Sequence, residues 1–527
     1  MERLDWIVVC SYLLGLLALA VYLGRKQASA SDYFLGGNRM SAQTLAASTI
    51  ATQCSTNSLL GAPAFVGFVA GGGMIWLQYE LAVPLAMLAL LWLMLPARRY
   101  GITSIYEILE IRVGRQTRLT AAACFLIFRG VATAVTIYGS ALVVSLILNI
   151  GFFTAVCLLM TATLLYDYFG GLTAVVLSDV IQLGLLLSAV IFSLFFIGDL
   201  IAWDFFVAER KATLVNDWGL NGEEYGFWPM LIGGIFLYAS YYGCDQSQAQ
   251  RILAARTERD TARVLLYNGL CRFPVVLLYC FLGLGLAALS TQDPQILQAL
   301  PVTEAGNKNL NLVFPVFVLN YFEAGFVGLV MVGLIAAAMS SIDSALNSLS
   351  AVTVEDFVRP HLGDDPAPRQ LLLVGRICTV LWGLFAVGFA FQVEAVAPTV
   401  LEAVNKVGSM VNGPLLALIG SAILLRAVTQ AAALTGFAAG LLSNALVALY
   451  LPEVSWLWWN VIGFAVASMV TYIANRLLST ETTGTVSLQP STVSGVVTAT
   501  RPPAGFIATL LAAFAVILSV CLVIQSW

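Results

Sequence analysis

Thr52-Gln53-Cys54-Ser55-Thr56-Asn57-Ser58 is an unbroken run of side chains able to hydrogen-bond, set in an apolar stretch that ends in Gly61-Ala62-Pro63. Inside lipid such a run has no water to bond to, and Pro63 has no N–H to give to an i−4 carbonyl. The pattern predicts a helix that breaks near Cys54 and turns backbone carbonyls into a cavity; close packing of small polar residues between helices is the other reading. A second stretch places Ala337, Ser340, Ser341 and Ser344 at i, i+3, i+4, i+7, one face of a helix, with Asp343 at its edge. Hydroxyl, carbonyl and carboxylate oxygens suit a hard cation. A packing stripe accounts for Ala and Ser but not for an aspartate, which costs about 2.5–3.5 kcal/mol at mid-bilayer. Glu80, Arg129, Asp179, Asp245, Arg272, Glu402 and Lys406 are further charges in apolar stretches, where such groups face an aqueous path or one another. Arg129 discriminates best, because a guanidinium grips a carboxylate by two parallel bonds and keeps its charge. It either binds an anionic solute or neutralises Glu80, Asp179 or Glu402.

What must hold these groups is a bilayer. Of 527 residues, 60% are apolar and 10% charged, against about 45–50% and about 25% in soluble domains. That balance excludes a soluble enzyme, a nucleic-acid binder and a disordered chain. Hydrophobic stretches predict spans near 5–24, 42–70, 74–97, 119–148, 151–168, 171–199, 227–252, 262–289, 319–350, 371–391, 397–425, 429–451, 454–475 and 504–525, about 14 transmembrane helices. Arg25 and Lys26 follow the first span and no net positive charge precedes it, the pattern of a retained helix rather than a cleaved leader. Most of the 25 Lys and Arg fall on one side of this threading, among them Arg98, Arg99, Arg112, Arg115, Arg118, Arg251, Arg256, Arg259 and Arg263. Only Arg3, Arg210, Lys211 and Lys308 lie opposite, so a multi-pass cell-membrane protein with both termini outside is expected. The long connections are 200–226 and 290–318 outside, 351–370 and 476–503 inside. Spans two and seven are each interrupted at mid-depth, the best sequence pointer to a transporter's binding site. Cys10, Cys124, Cys157, Cys280 and Cys521 sit in apolar stretches with no CxxC pair, which supports neither a disulfide framework nor a zinc site. His361, beside Arg359 and Pro360, reads as solvated.

Four motifs stand in register along these spans: Ser31-Asp32-Tyr33-Phe34-Leu35-Gly36-Gly37; Gly170-Gly171-Leu172-Thr173-Ala174-Val175-Val176 with Asp179 and Gln182; Asp245-Gln246 with Gln250-Arg251 and Ala254-Ala255; and Ser340-Ser341 with Asn347-Ser348. From about residue 30 to 425 the chain resembles the sodium:solute symporter family, which includes sodium–glucose, monocarboxylate, iodide, proline and sialic acid transporters. The resemblance implies an all-α integral membrane fold with a LeuT-type core of two inverted five-helix repeats, 42–199 and 227–425. A first helix and cytoplasmic linker (1–41) precede it, the extracellular loop 200–226 divides it, and three peripheral helices (426–527, with the cytoplasmic loop 476–503) follow. It implies a main Na+ site built from Ala51, Cys54, Ala337, Ser340 and Ser341. A second Na+ site would use Asp179, Ser340, Asp343 and Ser344, where Asp343 departs from the usual small or hydroxyl residue and a proton could replace the ion. The substrate wall, by likeness to the sugar members, includes Ser58, Glu80, Tyr238, Tyr241 and Asn405, joined by Gln53, Asn57, Arg129 and Lys406 from the polar run and the intramembrane charges. Ser58 and Tyr238 depart from the sugar pattern's amides, and Arg272 stands only near the expected lysine. Gly61-Ala62-Pro63 and Gly413-Pro414-Leu415-Leu416 look more like the branch that carries monocarboxylates, vitamins and iodide. Tyr241 is the expected inner gate, a role that the neighbouring Tyr242 could equally fill. The implied function is non-enzymatic, secondary active import of a small carboxylate-bearing solute with one or two Na+ by alternating access; its partners would be solute, sodium and bilayer, and no nucleic acid. The alternatives are a sugar symporter of the same fold, a proton-coupled carrier using Asp179 and Asp343, and a membrane sensor that has lost transport.

Overall fold

The computed structural model describes residues 2–25, 27–54, 56–201, 211–219, 225–302, 306–362, 367–393, 400–425, 427–479 and 502–526, and of residues 57, 400–404 and 479 the backbone alone. Ser55, the side chains of Asn57 and Glu402, Lys26, Arg210 and most of the loops 200–226 and 476–503 therefore lie outside the described residues. The described elements are helical, apart from one isolated bridge between Val302 and Lys308. Among them, 11 helices are long and apolar enough to cross a membrane.

In chain order the elements that matter are α1 (Arg3–Gly24), α2 (Ala42–Gln53), α3 (Thr56–Phe68), α4 (Met74–Arg99), α5 (Arg115–Leu148), α6 (Phe152–Gly198), α7 (Gly234–Cys244), α8 (Gln246–Leu253), α9 (Glu258–Gln292) and α10 (Phe326–Val352). They are followed by α11 (Pro368–Ala390), α12 (Val400–Leu424), α13 (Gln430–Tyr450), α14 (Trp456–Ser479) and α15 (Ala504–Gln525). Helix α10 is the centre: 89% of its apolar window is buried, against 17% for α1 and α14, whose faces are left to lipid. It packs on α6, α5, α1 and α2.

Both expected interruptions are present. α2 begins on Ser41, whose hydroxyl accepts the Thr44 N–H at 3.1 Å, and ends at Cys54 (φ −80, ψ 50), after which α3 starts afresh. α7 ends at Asp245 (φ −77, ψ 119), whose carboxylate caps α8 by accepting the Ser247 N–H at 2.8 Å. α6 is a third case. Its Gly171 (φ 55, ψ −171) lies in a region open essentially to glycine alone, so one 47-residue element is two helices meeting at an angle, as the sequence boundary between 168 and 171 anticipates.

Two boundaries differ from expectation. The ninth span starts at Phe326, not 319: a separate short helix, Val313–Tyr321, ends before an extended Phe322 and a left-handed Gly325 (φ 93). On the other side the helix continues through wider and tighter turns to His361, absorbing part of the loop placed at 351–370. Its polar extension is held by protein: Asp356 pairs with Arg118 at 2.5 Å and Glu355 with Arg359 at 2.7 Å. The stretch 290–318 likewise contains the end of α9 and two short helical segments, Gln295–Gln298 and Leu310–Leu312, rather than open loop.

Candidate functional site

Where α2 breaks, its last carbonyls lose their helical partners and hydroxyls from three elements meet them. Thr52 O accepts from Ser341 Oγ at 3.3 Å, Gln53 O from Ser58 Oγ at 2.9 Å and Cys54 O from the Tyr279 hydroxyl at 3.3 Å. Ser341 also donates to Ala337 O at 3.3 Å, and Thr56 Oγ1 to Leu334 O at 3.2 Å. Ser341 thus lies between carbonyls of α2 and α10 and makes only long contacts with them. A cluster of oxygens under such light internal bonding fits a hard cation. Ala51, Cys54, Ala337 and Ser340 are buried.

Asp179 of α6, fully buried, is already engaged. It accepts from Ser48 Oγ at 2.5 Å and from Ser340 Oγ, and its Oδ2 lies 3.0 Å from Nη2 of Arg251. The sequence reading placed Arg251 on the cytoplasmic side without assigning it a partner; it is 0% exposed. Its guanidinium also donates to Ser48 Oγ at 2.7 Å, to Ser247 O at 2.5 Å and to Ser344 Oγ. The physical reason is that α8 is polar yet wholly buried, so its one cation must find an anion inside. Ser344 further donates to Ser340 O at 2.5 Å and to Asp343 Oδ1 at 3.2 Å, and shares a 3.1 Å contact with Thr52 Oγ1. Asp343 Oδ2 and both carboxylate oxygens of Asp167 are buried without a partner. Asp167 had no place in the sequence reading because it sits at a predicted helix end.

Beside the ion junction lies a cavity of about 170 Å³, walled by Thr52, Gln53, Ser58, Arg129, Tyr238, Tyr241, Asp245, Arg272, Ser341 and Asn405, among others. Trp76, Tyr79, Phe125 and Phe128 give it an aromatic side. Arg272 is saturated: it pairs with Glu80 at 3.0 Å and 3.3 Å, donates to the Tyr238 hydroxyl at 2.9 Å and to Gln53 Oε1, and lies 4.8 Å from the Tyr238 ring centroid. Arg129 is not. Its Nη1 reaches Asp245 Oδ2 at 3.3 Å, it shares a side-chain hydrogen bond with Tyr241, whose ring centroid is 5.8 Å from Cζ, and its buried Nε has no partner. Of the anions first considered for Arg129, Glu80 belongs to Arg272 and Asp179 to Arg251; its partner is Asp245.

Of the expected wall residues, Gln53, Ser58, Arg129, Tyr238, Tyr241 and Asn405 line this cavity. Glu80 stands behind Arg272, and Lys406 is absent from the lining. Asp245 and Arg272 line it as well, though neither was singled out for the wall. The available signal for Asp245 was its position at the interruption of span seven. Tyr241 faces the cavity, whereas the neighbouring Tyr242 is fully buried. All nine cysteines have free thiols. His361 is exposed, with Nδ1 at 2.6 Å from Phe357 O.

Comparison with known proteins gives the family and the fold. A family model described as the sodium:solute symporter family matches residues 33–440. The sodium-coupled monocarboxylate transporter 1 of Mus musculus is 30% identical over 453 residues, which cover 83% of this chain and 71% of the relative. The sodium/sialic acid symporter NanT of Aliivibrio fischeri is 26% identical over 480 residues, 89% of this chain and 92% of the relative. Among solved structures, a substrate-bound, outward-open Na+-coupled sialic acid symporter superposes with a TM-score of 0.81 at 23% identity, covering 90% of this chain and 98% of that one. Mhp1, a nucleobase-cation-symport-1 transporter in a closed conformation, gives 0.59 at 13% identity, covering 86% and 96%. At these identities the two structures speak for the fold alone.

Proposed function

We propose a function from one premise: the chain belongs to the sodium:solute symporter family. It is a multi-pass membrane transporter, not an enzyme, and it couples movement of a small solute to Na+. Our finer reading is that the solute carries a carboxylate and enters the cell by alternating access. The observation that carries this is a shared wall: Ser341 and Thr52 of the ion junction and the incompletely bonded Arg129 line one cavity.

Charge supplies the coupling. Arg272 is matched by Glu80 and Arg129 by Asp245, so the empty cavity is neutral. A bound anion alone adds an unbalanced negative charge and Na+ alone an unbalanced positive one, in a surround where charges interact strongly. Bound together they cancel, so each raises the affinity for the other. In this reading Na+ takes the oxygens of Ala51, Cys54, Ala337, Ser340 and Ser341, the solute carboxylate takes the Arg129 guanidinium in place of Asp245, and Tyr241 gates the inner exit. A second Na+ at Asp179, Ser340, Asp343 and Ser344 would have to share Asp179 with Arg251, which favours coupling to one ion. Fourteen spans follow if α6 counts as two at Gly171 and the broken pairs α2–α3 and α7–α8 count as one each; the repeats 42–199 and 227–425 and both termini outside belong to the same reading.

The test is uptake into proteoliposomes under Na+, Li+, K+ or proton gradients. Carboxylate uptake should require Na+ and be abolished by Arg129→Gln. Uptake that persists without Na+ refutes the coupling; an Arg129→Gln protein with unchanged carboxylate affinity refutes the substrate class.

A further inference from the structure

Asp245 has two oxygens with different duties. Oδ1 accepts from the Ser247 N–H at 2.8 Å and the Ser247 hydroxyl at 2.6 Å, which fixes the first turn of α8. Oδ2 alone is left for Arg129, at 3.3 Å from Nη1. The pair is therefore single-stranded where a guanidinium and a free carboxylate would make two parallel bonds of about 2.7–2.9 Å. Both side chains line the cavity and are slightly exposed, 12% for Arg129 and 13% for Asp245. The unused Nε of Arg129 is buried. Arg129 is thus held by the Tyr241 side chain and by an internal carboxylate that is anchored elsewhere, and its Nε is left unbonded.

We propose that Asp245 sets the specificity of the cavity by acting as a built-in competitor: it occupies Arg129 in the empty state and yields to a solute carboxylate able to take the guanidinium edge-on. The inference rests on the carboxylate reading above and adds a residue and a direction to it. A neutral solute gains nothing from displacing Asp245, whereas an anion replaces one long contact by two short ones. Asp245 also sits at the hinge between α7 and α8. Its return to Arg129 gives the solute a displacing group of like charge as the cavity empties. Asp245 is a positioning residue here, acting on the solute through Arg129.

The test compares wild type, Asp245→Asn, Asp245→Glu and Arg129→Gln in proteoliposomes. The probes are lactate, nicotinate and N-acetylneuraminate, and the carboxamides of the first two. Asparagine caps a helix as well as aspartate, so Asp245→Asn keeps α8 and removes only the charge. The expected result for Asp245→Asn is a KM for the transported carboxylate lowered about tenfold, the scale of measured couplings between close charge pairs. Its kcat should also fall, because release loses its competitor. KM for the carboxamide should not change, and Asp245→Glu should restore the wild-type values. A KM for the carboxylate that rises or stays constant in Asp245→Asn overturns the proposal, as does an equal change for acid and amide. Wild-type protein that takes up none of the three acids, or Arg129→Gln with wild-type carboxylate KM, overturns the carboxylate reading itself and the inference with it; that failure is visible without any Asp245 variant.

Discussion

Replacing Ser341 by alanine separates what the junction does for folding from what it does for the ion. The Ser341 hydroxyl donates to Thr52 O and to Ala337 O, both at 3.3 Å. Those contacts are longer than the usual 2.5–3.0 Å for such bonds, and even a well-made one contributes only about 0.5–1.5 kcal/mol net. Ser341→Ala should therefore lower the stability of the Na+-free protein by less than about 1 kcal/mol. For the ion the same change removes one of the few oxygens at the junction, and the expected loss is about tenfold in Na+ affinity, roughly 1.4 kcal/mol. Linkage turns that into a thermal measurement that needs no substrate. At a Na+ concentration of 100 times Kd, wild type gains about 2.7 kcal/mol over the Na+-free protein. With Kd raised tenfold, the same concentration gives about 1.4 kcal/mol. Melting of purified protein in a Na+ series, with K+ holding the ionic strength, should show near-equal midpoints without Na+ and a Na+-dependent rise cut by about half in the variant. If Ser341→Ala keeps the full Na+-dependent rise, no ion is held between α2 and α10, and the account of the junction is wrong.

The remaining predictions concern the frame around the site. Asp179→Ala should destabilise by about 3–5 kcal/mol, because it strands Arg251 in a fully buried place. The double replacement Asp179→Leu with Arg251→Met should recover most of that in thermal melts, and losses that simply add would refute the pairing. Gly171→Ala should cost about 1–3 kcal/mol from backbone strain alone; a Cβ there would also stand 2.7 Å from Tyr33 Cδ2 and 2.9 Å from Tyr33 O. A wild-type midpoint for Gly171→Ala would show that the bend in α6 is not needed.

The break at Cys54 and the hydroxyl face of α10 were legible because local chemistry forces them: seven polar side chains before a proline, and a four-position stripe with helical spacing. The family motifs then gave the fold, since they fix the order of the spans. What stayed hidden was the pairing of charges. Arg251 was counted only by its charge; its burial depends on α8 packing against α10, which no local pattern encodes. Arg129 was recognised as decisive, yet its partner, Asp245, is 116 residues away. The start of α10 at Phe326 was missed for a different reason: the end of Val313–Tyr321 is apolar enough to read as part of the span, and only the short stretch from the extended Phe322 to the left-handed Gly325 separates the two helices.

Those pairings share a rule. Five ion pairs among the described residues join distant parts of the chain: Arg99–Glu258, Arg118–Asp356, Arg129–Asp245, Arg251–Asp179 and Arg272–Glu80. Each has one partner before residue 200 and the other after residue 226. The other pairs, such as Arg263–Asp260, are local. If the two halves rock against each other, every one of these pairs is strained or is a pivot. Breaking a fully buried pair costs about 3–5 kcal/mol, more than the roughly 2.3 kcal/mol that one charge gains in crossing 100 mV. Arg251–Asp179, Arg272–Glu80 and Arg118–Asp356, with carboxylates 0% exposed, should therefore stay closed through the cycle and act as the pivot. The pairs free to open are the wetter ones, above all Arg99–Glu258, whose side chains are 29% and 41% exposed. An exposed pair is worth about 0.2–1 kcal/mol, enough to bias two states without locking either. Glu258→Gln should accordingly leave the melting midpoint nearly unchanged and alter the transport rate severalfold. A rate equal to wild type would place that contact outside the moving interface, and with it the division of labour between buried and wet pairs.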